Sequence, residues 1–161
     1  MPRLLIVFHS RTGGTRQMAE AAARGAATEA EMRLLPAAEA GPEDLLAADG
    51  YIFAAPENLA AISGPMKDFF DRCYYPVLDR LNGRPYALLV CAGSDGANAA
   101  RQMARIATGW RLREMAEPLI LRTHAQTPEA ILAEKAIGAE DLRRCEELGA
   151  ALAAGLAMGI F

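Results

Sequence analysis

Continuous apolar runs mark the candidate strands of this chain. Four of them stand out: Leu4 to Phe8, Tyr51 to Ala55, Tyr86 to Cys91 and Pro118 to Leu121. A weaker candidate runs from Glu31 to Leu35. A strand that is buried on both faces is apolar throughout, because neither face of it meets water. The pattern therefore predicts a five-stranded sheet that is covered on both sides.

Helical spacing occupies the segments between these runs. The clearest apolar stripe contains Met66, Phe69, Phe70, Cys73 and Tyr74. We expect this helix to break near Pro76, because an interior proline removes a hydrogen bond, and a short second piece to follow through Val77, Leu78 and Leu81. The last stripe runs from Leu142 to Leu156 and places Cys145 in the core.

Strands that alternate with helices indicate right-handed crossovers and a parallel sheet between two layers of helices. The predicted fold class is therefore a three-layer α/β domain. In open sheets of this kind, ligands bind beyond the carboxyl ends of the strands, where the strand order reverses. The loops after the first, third and fourth strands are the places to look for chemistry.

Size and charge narrow the classes of function. The chain has 161 residues, of which 52% are hydrophobic, enough for a single domain over residues 1–161. Its 17 basic and 20 acidic side chains give a formal net charge of −3. Proteins that bind nucleic acid or anionic lipid carry basic patches, and this balance indicates neither. We expect a small-molecule partner.

The cysteines and the lengths of the apolar segments indicate the cellular compartment of the protein. Cys73, Cys91 and Cys145 lack CxxC and CxxH spacing, so neither a disulfide framework nor a zinc site is indicated. The run from Leu4 to Phe8 is too short for a signal-peptide core. The apolar segment from Leu148 to Phe161 falls short of the roughly 20 residues that span a bilayer. The sequence predicts a cytoplasmic protein with reduced thiols, no membrane span and no metal.

The segment after the first apolar run has the composition of an anion-binding loop. It reads Ser10-Arg11-Thr12-Gly13-Gly14-Thr15, and a helical stripe follows it. Amides at the start of a helix point at a bound phosphate, glycines let the chain curl around it, and hydroxyls add donors. An ordinary turn followed by a threonine helix cap accounts for the same residues and stays open at this point.

Other phosphate-binding loops are excluded by their residues. The spacings GxxxxGK[ST] and GxGxxG are both absent from this segment. A phosphotyrosine-phosphatase loop needs a cysteine after the first strand, and a response-regulator receiver needs acidic residues there. The chain has Phe8, His9 and Ser10 at that place.

Three segments resemble the flavodoxin-like superfamily. Residues 10–15 match the flavodoxin phosphate signature of Ser or Thr, any residue, Thr, Gly, any residue and Thr. Residues 49–56, DGYIFAAP, resemble the third strand of the superfamily. Residues 62–71, ISGPMKDFFD, are similar to the stretch that follows in NAD(P)H-dependent FMN reductases and WrbA-type quinone reductases. The resemblance covers residues 3 to about 110.

The resemblance implies a strand order, a cofactor and a set of binding residues. The implied order is 2-1-3-4-5, with helices on both faces, and the implied cofactor is FMN. Its ring contacts are expected in the loops around residues 56–63 and 92–97. The residues expected to bind it are Ser10, Arg11, Thr12, Gly13, Gly14, Thr15, Pro56, Glu57, Asn58, Leu59, Ala60, Ala92, Gly93, Ser94, Asp95 and Gly96.

Polar and aromatic side chains near these loops receive no catalytic role. His9 is expected to be a hydrogen-bonded structural residue, and Trp110 is expected to be buried. Glu57 has two open interpretations, contact with the ring edge or bracing of its own loop. Asp95 lies where a helix dipole favours a carboxylate. No protein nucleophile is required, because a flavin carries the redox chemistry itself.

Three functions are open on the resemblance. The leading one is an oxidoreductase in which NADH or NADPH reduces FMN and a quinone, a flavin or a similar small acceptor takes the electrons. The alternative is a flavodoxin-type electron carrier to protein partners, and a degenerate member that serves only as an interaction module is also open. Carriers usually cover the ring with aromatic side chains, and residues 59–62 and 92–98 contain none. Tyr74 or Tyr75 folding back over the ring stays open.

The apolar segment Ala150 to Phe161 and the resemblance to reductases with flavin sites near subunit boundaries predict a homodimer or a larger assembly. Burial within one chain explains the same residues.

Overall fold

The computed structural model describes residues 1–161. The strands are β1 (Arg3–Phe8), β2 (Glu31–Pro36), β3 (Gly50–Asn58), β4 (Ala61–Ile62), β5 (Pro85–Ala92), β6 (Arg113–Glu114) and β7 (Leu119–Arg122). The helices are α1 (Gly14–Ala26), α2 (Pro42–Ala47), α3 (Gly64–Val77), α4 (Ala97–Gly109), α5 (Pro128–Leu132) and α6 (Ala139–Met158). Every predicted strand is present, including the weak candidate at β2.

The parallel strands follow the order β2-β1-β3-β5, and β6 and β7 share the far edge of β5. β6 pairs with the start of β5 and β7 with its end, so two short segments fill the fifth position. This arrangement confirms the predicted order 2-1-3-4-5. Because these strands are parallel, the carboxyl ends of β1, β3 and β5 lie at one edge of the sheet. The strand order reverses between β1 and β3, where such sheets bind ligands.

Each face of the sheet carries its own buried cluster, because neighbouring side chains of a strand point to opposite faces. On β3, Phe53 faces α3 and α4, where it packs against Phe70 and Trp110 with ring centroids 5.3 and 6.2 Å away. Ile52 faces the other layer, formed by α1 and α6. Trp110 and Cys145 are fully buried, as predicted.

Two predicted boundaries were wrong. β3 continues to Asn58 rather than stopping at Ala55, because its last residues pair with β4. α3 ends at Val77, so the break expected near Pro76 is present, but the short helical piece expected through Val77, Leu78 and Leu81 is absent. Pro76 itself lies inside the last turn of α3. The proline removes one bond of the helix, and only Val77 follows it, so no further turn has to continue past the break.

α1 and α6 pack closely through two glycines. A Cβ at Gly25 would overlap the backbone carbonyl of Glu146, and one at Gly149 would overlap the carbonyl of Ala22. Phe161 packs against Gly155 of the same chain, which accounts for the aromatic residue that motivated the predicted dimer. None of the helices combines the length and apolar character needed to cross a membrane.

Candidate functional site

A pocket opens at the carboxyl edge of the sheet, between the ends of β1, β3 and β5. The predicted residues that line it are Ser10, Arg11, Thr12, Gly14, Thr15, Pro56, Glu57, Asn58, Ala92 and Gly93. The three loops singled out in the sequence therefore meet at one place. The other predicted residues, Gly13, Leu59, Ala60, Ser94, Asp95 and Gly96, lie outside the pocket lining.

The loop after β1 leads directly into α1, whose first residues line this pocket. Gly13 is the N-cap residue, with a left-handed φ of 93° that glycine adopts without strain. The amide of Gly13 donates to the hydroxyl oxygen of Ser10 at 3.1 Å. No side chain caps α1, so the alternative of a threonine cap is wrong. Uncapped amides and the helix dipole leave this end suited to an anion.

Thr15 provides the sharpest sign that a ligand belongs here. Its residue is only 1% exposed, and its Oγ1 atom has no hydrogen-bond partner. A buried hydroxyl without a partner is costly, and such groups are usually satisfied by water or a ligand. A Cβ at Gly14 would lie 2.8 Å from Cys91 Sγ, so glycine allows the close approach of α1 to β5. This donor set fits a phosphate.

The predicted loop after β3 is a hairpin rather than an open loop. Glu57 and Asn58 pair with Ile62 and Ala61 of β4. The turn between them consists of Leu59 and Ala60, both with positive φ, at 51° and 63°. Tight hairpin turns of this kind favour glycine and asparagine, so the two residues are held in a costly conformation. Leu59 and Ala60 form an exposed tip instead of lining the pocket.

Glu57 joins the hairpin to the loop after β5. Its carboxylate accepts hydrogen bonds from the amides of Gly96, at 2.8 Å, and Ala99, at 3.0 Å. These contacts show that Glu57 braces its loop. Glu57 also lines the pocket, so its contact with a ring edge stays a prediction. Gly96 has a φ of 94°, and a Cβ there would lie 2.5 Å from the Ile120 side chain. Asp95 accepts from the amide of Ala97 at 3.2 Å, the helix-start position expected for it.

Replacing Glu57 with alanine is expected to lower the free energy of unfolding by about 1 to 2 kcal/mol, because two amides at the start of α4 lose their acceptor. Glu57→Gln should cost less, since its amide oxygen keeps one acceptor. Urea denaturation measures both, with Glu29→Ala on the exposed surface as the control. Equal stability of Glu57→Ala and Glu29→Ala would show that the bracing contacts contribute nothing.

His9, at the end of β1, contacts the residue that precedes α3. Its Nδ1 atom lies 2.8 Å from the hydroxyl oxygen of Ser63, which is fully buried. Burial lowers the pKa of His9, and the positive charge of Arg11 lowers it further. The imidazole is therefore neutral near pH 7 and has the structural role that the sequence predicted.

Five pocket residues were missed by sequence reasoning. They are Cys91, Thr123, Ala125, Ile131 and Lys135, four of which belong to the segment 123–138 between β7 and α6. This segment has no recognisable motif. A signal was nevertheless present, because the segment leaves the carboxyl end of a fifth parallel strand, and those ends share one edge. Burial raises the pKa of the Cys91 thiol, while the charge of Lys135 opposes the shift.

Fold and pocket together define a flavodoxin-like protein. A flavodoxin from the domain Archaea superimposes with a TM-score of 0.78 at 18% identity, covering 96% of this chain and 98% of that one. A flavodoxin, WrbA-like protein from Agrobacterium tumefaciens gives a TM-score of 0.76 at 19% identity, with 99% of both chains covered. These likenesses confirm the predicted fold.

Sequence comparisons identify the family. The model of NADPH-dependent FMN reductases matches residues 34–126, more than half of the chain, and the chain belongs to that family. A flavodoxin of Aquifex aeolicus is 40% identical over 58% of this chain and 50% of its own length. An NAD(P)H dehydrogenase (quinone) of Acidithiobacillus ferrooxidans is 34% identical over 45% and 47%. The chain thus spans about half the length of the curated relatives it matches.

Proposed function

We propose that this protein is an FMN-dependent oxidoreductase that takes electrons from NADH or NADPH and passes them to a quinone, a flavin or a similar small acceptor. The observation that carries the proposal is the unpartnered, buried Thr15 hydroxyl at the uncapped start of α1. This hydroxyl supplies a hydrogen-bond donor for a phosphate, in a chain that belongs to the FMN reductase family.

Three parts of the chain would divide the work of holding the cofactor. Residues 10–15 would hold the phosphate, with the start of α1 stabilising its negative charge. Pro56 to Asn58 and Ala92 to Gly93 would contact the ring, because they line the other walls of the pocket. Bound FMN would supply the hydride chemistry, and the chain would orient it and control access to it.

An open ring face favours the reductase over the carrier. No aromatic side chain lines the pocket. Tyr74 stacks on Trp110 with centroids 5.8 Å apart and planes inclined by 18°, so it is engaged elsewhere. Tyr75 is 78% exposed and is likewise absent from the pocket lining. No aromatic lid would therefore stand between the ring and a nicotinamide, which must approach to roughly 3 to 3.5 Å for hydride transfer.

Two measurements, made one after the other, test the proposal. Calorimetric titration of the folded protein with FMN is expected to show saturable binding, and stopped-flow mixing of the FMN-loaded protein with NADH or NADPH is expected to bleach the flavin absorbance rapidly. A folded protein that takes up no FMN would overturn the cofactor assignment. If the protein takes up FMN but the flavin stays oxidised after mixing with NADH and with NADPH, the reductase function is overturned and the carrier function remains.

The carrier alternative is favoured by one surface feature, a basic groove between α3 and α4. Residues 96–113 contain four arginines and no acidic residue. Arg101, Arg105 and Arg111 line the groove, and none of them forms a salt bridge. The groove reaches Ala61 and Ile62, at the base of the hairpin beside the pocket. Such a surface would steer an acidic redox protein toward the flavin.

A further inference from the structure

We propose that the segment 123–138 is a wall of the cofactor site and that Lys135 places a fixed positive charge against the phosphate of FMN. The inference rests on the proposed function and adds a residue far in sequence from the phosphate loop. It predicts that the protein distinguishes FMN from riboflavin, which lacks the phosphate, partly through this one side chain.

The segment is held against the pocket at both of its ends. Beside β5, the amides of Thr123 and His124 donate to the carbonyls of Ala92, at 2.9 Å, and Gly93, at 2.8 Å. Beside α1, the amide of Lys135 donates to the carbonyl of Thr12 at 2.8 Å. The segment therefore bridges two of the loops that form the site.

Gln17 fixes the position of Lys135 relative to the phosphate loop. The Nε2 atom of Gln17 donates to the carbonyl of Gly13 at 3.0 Å and to that of Lys135 at 2.7 Å. Its Oε1 atom accepts from the amide of Ile137 at 2.9 Å. One side chain of α1 thus ties Gly13, the residue before the helix, to the backbone of Lys135 and Ile137.

The ammonium group of Lys135 has only uncharged partners. It donates to the carbonyls of Ile131, at 2.8 Å, and Ala133, at 2.5 Å, and to the hydroxyl of Thr12 at 3.4 Å. No carboxylate forms a salt bridge with it. Its charge is therefore uncompensated and lies beside the loop that would carry the phosphate.

Neighbouring charges do not take over this role. Arg16 forms a salt bridge with Glu20 at 3.6 Å and does not line the pocket. Arg11 lines the pocket, but its side chain forms no hydrogen bond that would hold it there. Glu134 lies on the outer side of Gly13, away from the pocket lining. Lys135 is the cation whose position the surrounding hydrogen bonds define.

The test compares the affinities of FMN and riboflavin for the wild type and for Lys135→Gln. The ammonium would exchange its long contact with the Thr12 hydroxyl for one with the phosphate. Because charge-assisted hydrogen bonds are about twice as strong as neutral ones, the variant should bind FMN roughly 10-fold to 100-fold more weakly. Riboflavin affinity should change by less than about two-fold on the same reasoning. Lys67→Gln is the matched control, since Lys67 is the only other lysine and lies on the exposed face of α3.

The outcomes separate this inference from the proposed function. Lys135→Arg should restore most of the FMN affinity if the charge matters. Equal weakening of both ligands by Lys135→Gln would show that the segment only shapes the pocket, and unchanged affinity for FMN would remove the residue from the site. Either result overturns the inference while FMN binding stands. A folded wild type that binds neither ligand would overturn the proposed function itself.

Discussion

Replacing Thr15 with valine should weaken FMN binding about 10-fold to 100-fold, because the phosphate loses a hydrogen bond to a buried hydroxyl worth about 1.5 to 3 kcal/mol. The cofactor-free protein should unfold with the same free energy as the wild type or a slightly larger one. Its Thr15 hydroxyl has no partner, so nothing that stabilises the fold is removed. Valine has nearly the same shape and a similar helix propensity.

Weaker FMN binding without any loss of stability is the result that distinguishes this substitution. Calorimetric titration measures the first and urea denaturation of the cofactor-free protein the second. Thr108→Val serves as the control, since the Thr108 hydroxyl bonds only to the carbonyl of Ala104 on the exposed side of α4. Unchanged FMN affinity in Thr15→Val would show that the buried hydroxyl does not face the phosphate.

Gly149→Ala is expected to cause a large loss of stability, about 3 kcal/mol or more of unfolding free energy. The added methyl group would overlap the backbone carbonyl of Ala22, which cannot rotate away as a flexible side chain would. α1 and α6 would have to move apart, and α1 begins within the segment 10–15 that would hold the phosphate. Weaker FMN binding is therefore expected to accompany the loss.

Gly64→Ala provides the comparison for this helix contact. Nothing lies within 4 Å of a Cβ at Gly64, in the first turn of α3, so alanine there should be neutral or slightly stabilising. Urea denaturation of the two variants side by side measures the difference. A Gly149→Ala variant as stable as Gly64→Ala would mean that α1 and α6 can separate at no cost, contrary to the packing described.

The sequence was informative wherever a property depends on neighbouring residues. The apolar runs located β1, β3, β5 and β7, because strands inside the sheet are buried on both faces. The short strands β4 and β6 carry no such run and were not predicted. The loop Ser10 to Thr15 could be identified because its glycines and hydroxyls act within six consecutive positions. Resemblance then supplied the strand order, which places that loop beside Pro56 to Asn58 and Ala92 to Gly93. These are the predicted residues that the structure brings together in one pocket.

Tertiary structure alone decided the contacts between residues that lie far apart in the chain. The carboxylate of Glu57 could equally have met a ring, and only the folded chain brings the amides of Gly96 and Ala99 within reach of it. The pairing of residues 57–58 with 61–62 turned an expected loop into a hairpin. Lys135 is 123 residues from Thr12 in the sequence, and it lies beside Thr12 because the chain returns toward α1 after β7. No local pattern encodes such distances, since they depend on how the packed layers bring separate segments together.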